Sequence, residues 1–417
     1  MRTNKLLCAL LFAASLFSKS INAADLVVEE FGTTPAYPSI SAAISASVDG
    51  DRILIRNRAG NIPWIENITI NKSLELLSYE NDTFFVVQGT YTINSGVGRK
   101  ISIIGMKNLS GSINAGTSSG SNKTTTVNIL DCYLSNGGIY LNTVDFNTTI
   151  AGCTMLGGRV YISSGSIIGN NLNNGGSSAS EVLTVANSSS FQNDTVYIIG
   201  NTIKGNVNGV SSVYWNSSAS IAYIKNNFII HQYAGIYMLT FPNTTIANLI
   251  YNNTIYGELY NFSNYGLFIS SVPSNAIVEI MNNVIDAFNS GTKYGIYVVN
   301  LNGQANAYYN HIDNGFNTAI SGNLTFSGNN TTNSTVGINL LTGVLNPGNL
   351  AIDGGNPANP FYDLDLTVGD AGAYGGSYSL ANYFPLHSGG ARIYSVAFPF
   401  NIRSGNTLNV KASGYDR

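Results

Sequence analysis

The chain has 417 residues, 44% hydrophobic and only 10% charged, with a net charge of −3. That length allows two or three ordinary domains or one long solenoid, and the charge excludes an electrostatic footprint for nucleic acid. The 25 Tyr and 18 Phe argue against disorder, so the polar surface has to come from Asn, Ser, Thr and Gly, which suit turns and strands rather than helices.

Residues 1–23 read as a secretory signal peptide. Arg2 and Lys5 precede the apolar run Leu6–Phe17, small residues follow at Asn22-Ala23-Ala24, and the run is too short to span a bilayer. No later stretch is apolar enough to cross one. The expectation is an exported protein, secreted or at the cell surface, without a transmembrane segment.

Asp25–Glu30 is strand-like. Apolar residues at Ile40, Ala43, Ile44 and Val48 then fit one short amphipathic helix, ended by the turn Asp49-Gly50-Asp51. Strands follow at Arg52–Ile55, Ile68–Ile70 and Leu74–Leu77. The phrases Ser39-Ile-Ser-Ala-Ala-Ile44, Gly50-Asp51-Arg-Ile-Leu-Ile55, Glu66-Asn-Ile-Thr-Ile-Asn71 and Lys72-Ser-Leu-Glu-Leu-Leu77 resemble the opening coil of right-handed parallel β-helix proteins of the pectin-lyase-like superfamily. The resemblance implies an all-β solenoid over residues 24–340, its first coil capped by a small helix, with like residues stacked coil over coil.

From Phe84 to Gly200 short β-rich runs recur, among them Val127–Leu130, Gly138–Tyr140, Thr149-Ile150, Val160–Ile162 and Ile167–Gly169. Gly111–Lys123 and Gly175–Ser190, rich in Ser, Gly and Asn, read as bulging loops. Cys132 and Cys153 stand 21 residues apart in matching contexts. Stacked on neighbouring rungs they would lie roughly 4.8 Å apart, which allows a disulfide or two core thiols alike.

The strongest pattern runs from Asn201 to Ile312. Asn-x-Ile recurs at Asn201, Asn227, Asn253, Asn283 and Asn310, in steps of 26, 26, 30 and 27. Between the copies sits Gly235-Ile236-Tyr237, then Gly266-Leu267-Phe268, then Gly295-Ile296-Tyr297. A fixed order at this period marks a repeat architecture. Stacked Asn amides would bond rung to rung as a ladder, and Asn also suits left-handed turns. The aromatic column of Tyr140, Tyr237, Phe268 and Tyr297 reads as sheet packing; facing outward, it would instead form a platform for sugar rings.

Three positions after each repeat Asn stand Lys204, Ile230, Tyr256, Asp286 and Asp313. Registration therefore puts Asp286 and Asp313 on adjacent coils beside His311, with Lys293 near. Such a cluster is what a glycosidase acid–base pair or a calcium-assisted lyase needs, against the simpler reading of solvated turn carboxylates. Family enzymes of the pectate-lyase type hold calcium with several carboxylates, and those of the polygalacturonase type use an Asp trio. Only eight acids occur between Phe84 and Leu350 here, and none forms an Asp-Asp pair.

Residues 341–417 change character and are expected to close the solenoid. Asp363, Asp365 and Asp370 alternate as calcium ligands might, although the EF-hand pattern is incomplete. The phrase Gly372-Ala-Tyr374-Gly375-Gly376 resembles the closing segment of bacterial secreted β-helix proteins. Arg392–Val396 and Thr407–Lys411 read as two final strands. The expected role is an exported, non-catalytic rod, adhesin-like, matrix-forming or carbohydrate-binding, with self-association open. A polysaccharide lyase or glycoside hydrolase at Asp286/Asp313, with calcium as its only candidate cofactor, is the alternative. A subunit of an extracellular assembly is the second.

Overall fold

In the computed structural model the described residues are 23–175, 181–187, 194–206, 210–258, 264–287, 293–358, 361–363, 365–383, 392–397 and 410–415. Residues 1–22 of the proposed leader lie outside them. Each coil lays one strand into each of three parallel sheets. Sheet 1 holds 13 described strands, from Asp25–Val28 to Phe326–Gly328; sheet 2 holds 12, from Trp64-Ile65 to Thr331–Ser334; sheet 3 holds 11, from Ile68–Ile70 to Thr318–Gly322. The chain is a right-handed parallel β-helix. No helix among the described residues is long and apolar enough to cross a membrane.

The interior is built from stacked β-branched side chains. In sheet 1, Ile103, Ile129, Ile150, Ile167, Ile198 and Ile224 occupy one register position on consecutive coils, and all are fully buried. Each such burial is worth about 1.5–3 kcal/mol, and a branched side chain packs well on its copy above and below. This repetition makes the coils interchangeable in sequence.

The corner between sheets 1 and 2 carries the Asn column as a hydrogen-bonded ladder. Asn170, Asn201, Asn227, Asn253, Asn283 and Asn310 are buried, and each Oδ1 from Asn201 onward accepts from the Nδ2 of the coil before at 2.9–3.0 Å. Asn330 extends the series, accepting from Asn310 Nδ2 at 2.9 Å. The left-handed residue is not the ladder Asn but its predecessor: Gly200 (φ 64°), Asn226 (51°), Asn252 (52°), Asn282 (53°) and Tyr309 (55°). Cys153 and Cys132 sit at the same position on earlier coils. Both are buried free thiols, with Cys132 N–H pointing at Cys153 Sγ, 3.3 Å away.

The two repeated phrases interlock. A Cβ on Gly235 would lie 2.3 Å from Ile255 Cγ2, one on Gly266 would lie 2.3 Å from Ile285 Cγ2, and one on Gly295 would lie 2.5 Å from Ile312 Cγ2. In these three coils the isoleucine of the Asn-x-Ile phrase therefore fills the space left by a missing side chain in a Gly-Ile-Tyr or Gly-Leu-Phe phrase. This explains both why the glycine recurs and why the phrases keep a fixed order.

Helix α1 (Ile40–Ala46) closes the first coil, burying Ile40, Ala43 and Ile44. Its ends are held from the next coil. The Glu66 carboxylate accepts from Ile40 N and Ser41 N, both at 2.9 Å, and Lys72 Nζ donates to the carbonyls of Ile44, Ser45 and Ser47 at 2.6–3.0 Å. A negative charge at the amino end and a positive one at the carboxyl end both suit the helix dipole.

Two expectations need correction. Gly111–Lys123 contributes the strand Ile113–Ala115 to sheet 3, and Gly175–Ser190 contributes Leu183–Asn187. Ser/Gly-rich composition concealed them because a rung needs only about three paired residues and one inward apolar group. The second tail strand is Lys411–Tyr415, antiparallel to Arg392–Ala397; Thr407 to Asn409 of the expected strand lie outside the described residues.

The irregular C-terminal segment runs back along the outer face of sheet 2. There Val336, Ile338, Ala351, Ala371, Ala373 and Leu380 form a second apolar cluster with Phe228, Ile230, Tyr256 and Val284. Backbone carbonyls of Ala373 and Gly375 accept from Asn226 Nδ2 at 3.1 and 2.8 Å, and Asn282 Oδ1 accepts from Asn356 N at 2.9 Å. The left-handed turn asparagines thus pin the segment to the coils.

Candidate functional site

Side chains alternate along a strand, but the glycine of each Gly-Ile-Tyr phrase breaks the alternation in sheet 3. As a result Tyr265 and Phe268, three residues apart, both face outward, as do Tyr294 and Tyr297. Two files of rings form. One runs Tyr140, Tyr161, Thr184, Tyr214, Tyr237, Phe268 and Tyr297 in register, about 29 Å long at 4.8 Å per strand. The shorter file pairs Tyr265 with Tyr294, and Tyr233 packs on Tyr265.

Seven of these rings, from Tyr214 to Tyr297, make one continuous surface, each half-buried. Tyr237 and Phe268 centroids are 4.7 Å apart, Tyr265 and Phe268 4.9 Å, and Tyr294 and Tyr297 4.9 Å. Tyr265 lies nearly parallel to Tyr294 (9°) and Tyr297 (10°), so three rings share one orientation. Burial raises the hydroxyl pKa of Tyr214, Tyr233 and Tyr265, so each keeps a proton to donate at neutral pH.

Beside the Tyr161–Tyr214 end lies a polar groove of about 490 Å³, lined by Ser118, Asn142, Thr143, Tyr161, Asn187 and Asn216, among others. Amide and hydroxyl groups there meet the ring surface at Tyr161. At the same end the Arg159 guanidinium stands over Tyr161, 4.9 Å from its centroid, and pairs with Glu181 at 3.5 Å. The face therefore carries rings and neutral polar groups with little net charge. The repeated phrases pointed to Tyr140, Tyr237, Phe268 and Tyr297 but not to Tyr161, Tyr214, Tyr233, Tyr265 and Tyr294. The available signal was the tyrosine directly before the repeat glycine in Tyr265-Gly266 and Tyr294-Gly295.

Registration of the acidic residues gives a different environment. Tyr256 pairs with Asp286, and His311 and Ile312 pair with Val284 and Ile285, so Asp286 and Asp313 stack on adjacent coils of sheet 2. Asp313 faces the covering C-terminal segment. Asp286, Asp313, His311 and Lys293 are all buried, none more than 9% exposed. Asp313 accepts from Gly315 N at 2.6 Å and Val336 N at 2.7 Å, and His311 Nε2 meets the Gly354 carbonyl at 3.0 Å. Burial lowers the pKa of His311, which leaves the ring neutral with Nε2–H donating. Burial also lowers Lys293, against the opposing pull of the Asp313 and Asp286 charges. In this arrangement Asp313 and His311 fasten the covering segment where it leaves the last coil and where it crosses back.

The tail carboxylates are likewise occupied by backbone. Asp363 accepts from Asp370 N at 3.0 Å and from Gly376 N, Asp370 accepts from Asp353 N at 2.8 Å, and Asp365 accepts from Thr367 N and Oγ1 at 3.0 and 2.8 Å. Burial first, then repulsion from neighbouring carboxylates including Asp353 and Asp365, raises the pKa of Asp363 and Asp370. No three acidic, His or Cys side chains converge as metal ligands among the described residues.

Comparison of the chain with protein families, curated proteins and solved structures finds no match.

Proposed function

We propose that the chain is an exported, non-catalytic β-helix of the pectin-lyase-like kind that binds neutral glycans along the ring-lined face of sheet 3. The observation that carries this reading is the seven-ring surface itself. Contiguous aromatic faces left open to solvent complement the C–H faces of pyranose rings, and the adjoining Asn, Ser and Thr groove offers partners for sugar hydroxyls. Tyrosine supplies an apolar body with a wet hydroxyl at low entropic cost. The lack of net charge on this face favours neutral over acidic polysaccharides. The leader-like opening of the sequence supports export, and a rod with one long binding face suits an adhesin-like or matrix-forming role.

The burial of Asp313 and His311 against the covering segment supports the non-catalytic reading over a hydrolase or lyase. The test is affinity electrophoresis against neutral and acidic polysaccharides, with product analysis of the same mixtures. Retardation by a neutral glycan without product release is expected. In Tyr265→Ala/Tyr297→Ala it should weaken about 5- to 100-fold, each ring contributing about 0.5–1.5 kcal/mol. Retardation unchanged in the double variant, or product release abolished by Asp313→Ala, would overturn the reading.

A further inference from the structure

On the side of the rod formed by sheet 1, a different site appears. Lys225 stands at the outward register position that other coils fill with Ile199, Tyr251, Met281 and Tyr308. Its side chain is only 1% exposed. It borders a cavity of about 380 Å³ between sheet 1 and the C-terminal segment, together with Tyr197, Tyr223, Tyr378, Tyr383 and Tyr394. The Nζ atom lies 5.1 Å from the Tyr223 centroid and 5.5 Å from that of Tyr251, with the Tyr378 ring nearest. Among the described residues no carboxylate pairs with it. A second, mostly apolar chamber of about 190 Å³ adjoins, sharing Tyr223 and Tyr378 and lined further by Tyr251, Met281 and Phe361. Tyr197 and Val396, both over a third exposed, form an open rim.

We propose that Lys225 is a nucleophilic amine that captures a small aldehyde bearing an apolar or aromatic group, holding it as a Schiff base in this tyrosine-lined cavity. An ammonium taken out of water with no counter-charge gives up its proton, and burial alone pulls Lys225 down to about 6. The neutral amine keeps its lone pair at neutral pH, the state a Schiff-base lysine requires. The ring faces of Tyr223 and Tyr251 favour the ammonium and oppose that desolvation. In the reaction the nitrogen attacks the carbonyl carbon. The C=O bond is replaced by C=N, and the carbonyl oxygen departs as water with both hydrogens of the amine. No oxidant or reductant takes part. The adjoining apolar chamber accommodates the group carried by the aldehyde and sets the preference for an apolar one.

The full chain, incubated with benzaldehyde and cyanoborohydride at pH 7 and mapped by peptide mass, tests this. Lys225 should acquire the N-benzyl group at least roughly tenfold faster than exposed Lys100 or Lys411, because an ordinary lysine is almost wholly protonated there. Its rate should rise through about pH 6 and level off above. Lys225→Met should lose that adduct alone; the wild-type map and its pH profile stand whether or not the variant folds. Lys225 labelling no faster than Lys100 would overturn the proposal. Glycolaldehyde labelling Lys225 as fast as benzaldehyde would overturn the apolar class of ligand.

Discussion

The ladder corner makes a reciprocal prediction, in which Cys153→Asn stabilises the rod and Asn227→Cys destabilises it. Cys153 already occupies a ladder position. The Sγ atom lies 3.3 Å from the Ile129 carbonyl of the preceding coil and 3.5 Å from that of Ala151 two residues back, and it faces Cys132 N–H at 3.3 Å. Asn201 reaches the same three partners on its own coil more strongly. Its Nδ2 donates to Ile167 O at 2.9 Å and Ile199 O at 3.1 Å, and its Oδ1 accepts from Asn170 N at 2.9 Å. The turn is also the same, since Gly152 precedes Cys153 at φ 65° as Gly200 precedes Asn201 at 64°.

Replacing one weak S–H donor by two N–H donors, and adding a link to Asn170 Oδ1, gains about 1–3 kcal/mol at 0.5–1.5 kcal/mol per net hydrogen bond. Asn227→Cys loses the Nδ2 bonds to Ile198 O, Lys225 O and Asn253 Oδ1, each 2.9 Å. Because those acceptors are buried, the cost is about 2–4 kcal/mol. Denaturant unfolding is the primary assay. Amide exchange at Cys132 and Asn201 should accompany it, because stacked repeats open locally as well as globally. A Cys153→Asn protein less stable than wild type by more than about 1 kcal/mol, or a neutral Asn227→Cys, would refute the view that the amide ladder stabilises the corner.

Further outcomes follow from the buried titratable groups and the covering segment. Unfolded Lys225 titrates near 10.5 and folded Lys225 near 6, so between these values the unfolded chain holds a proton the folded one lacks, and stability rises with pH across that window. Lys225→Met should therefore stabilise the chain at pH 7 by up to about 4–5 kcal/mol and flatten the pH dependence of denaturant midpoints between pH 7 and 10. Among the described residues neither buried ring nitrogen of His231 has a partner, and burial lowers it from 6.5 to about 3. Stability should accordingly fall as pH drops below 6.5, by about 2 kcal/mol at pH 5 from this residue, and His231→Leu should remove that slope in thermal melts. Asp313→Ala leaves Val336 N–H without its acceptor, which costs about 1–3 kcal/mol. Limited proteolysis should then cut near Val336 sooner than in wild type, with the coils left intact.

The repeated phrases made the solenoid and much of its register legible in advance. Asn-x-Ile spacing placed Lys204, Ile230, Tyr256 and Asp286 in one column, and those residues do pair coil to coil. This worked because the contacts that define a β-helix join a residue to its own copy one coil away, so the period contains the fold. The amide ladder followed for the same reason, although the left-handed residue turned out to be the one before each ladder Asn.

Other features depended on contacts that no period encodes. That Tyr265 and Tyr294 join Phe268 and Tyr297 on the outer face hinged on a glycine kink that the facing Ile285 and Ile312 methyls enforce, and simple alternation along the strand could not supply it. The path of residues 336–380 back over sheet 2 was decided by apolar faces and turn asparagines more than a hundred positions earlier. That path turned Asp313 and His311, which spacing had placed at a candidate open site, into buried fastenings of the covering segment. It also left Lys225, unremarkable between Ile224 and Asn226, at the edge of a cavity walled by tyrosines. Local repetition is written in the order of residues; burial and exposure belong to surfaces brought together only when the chain closes on itself.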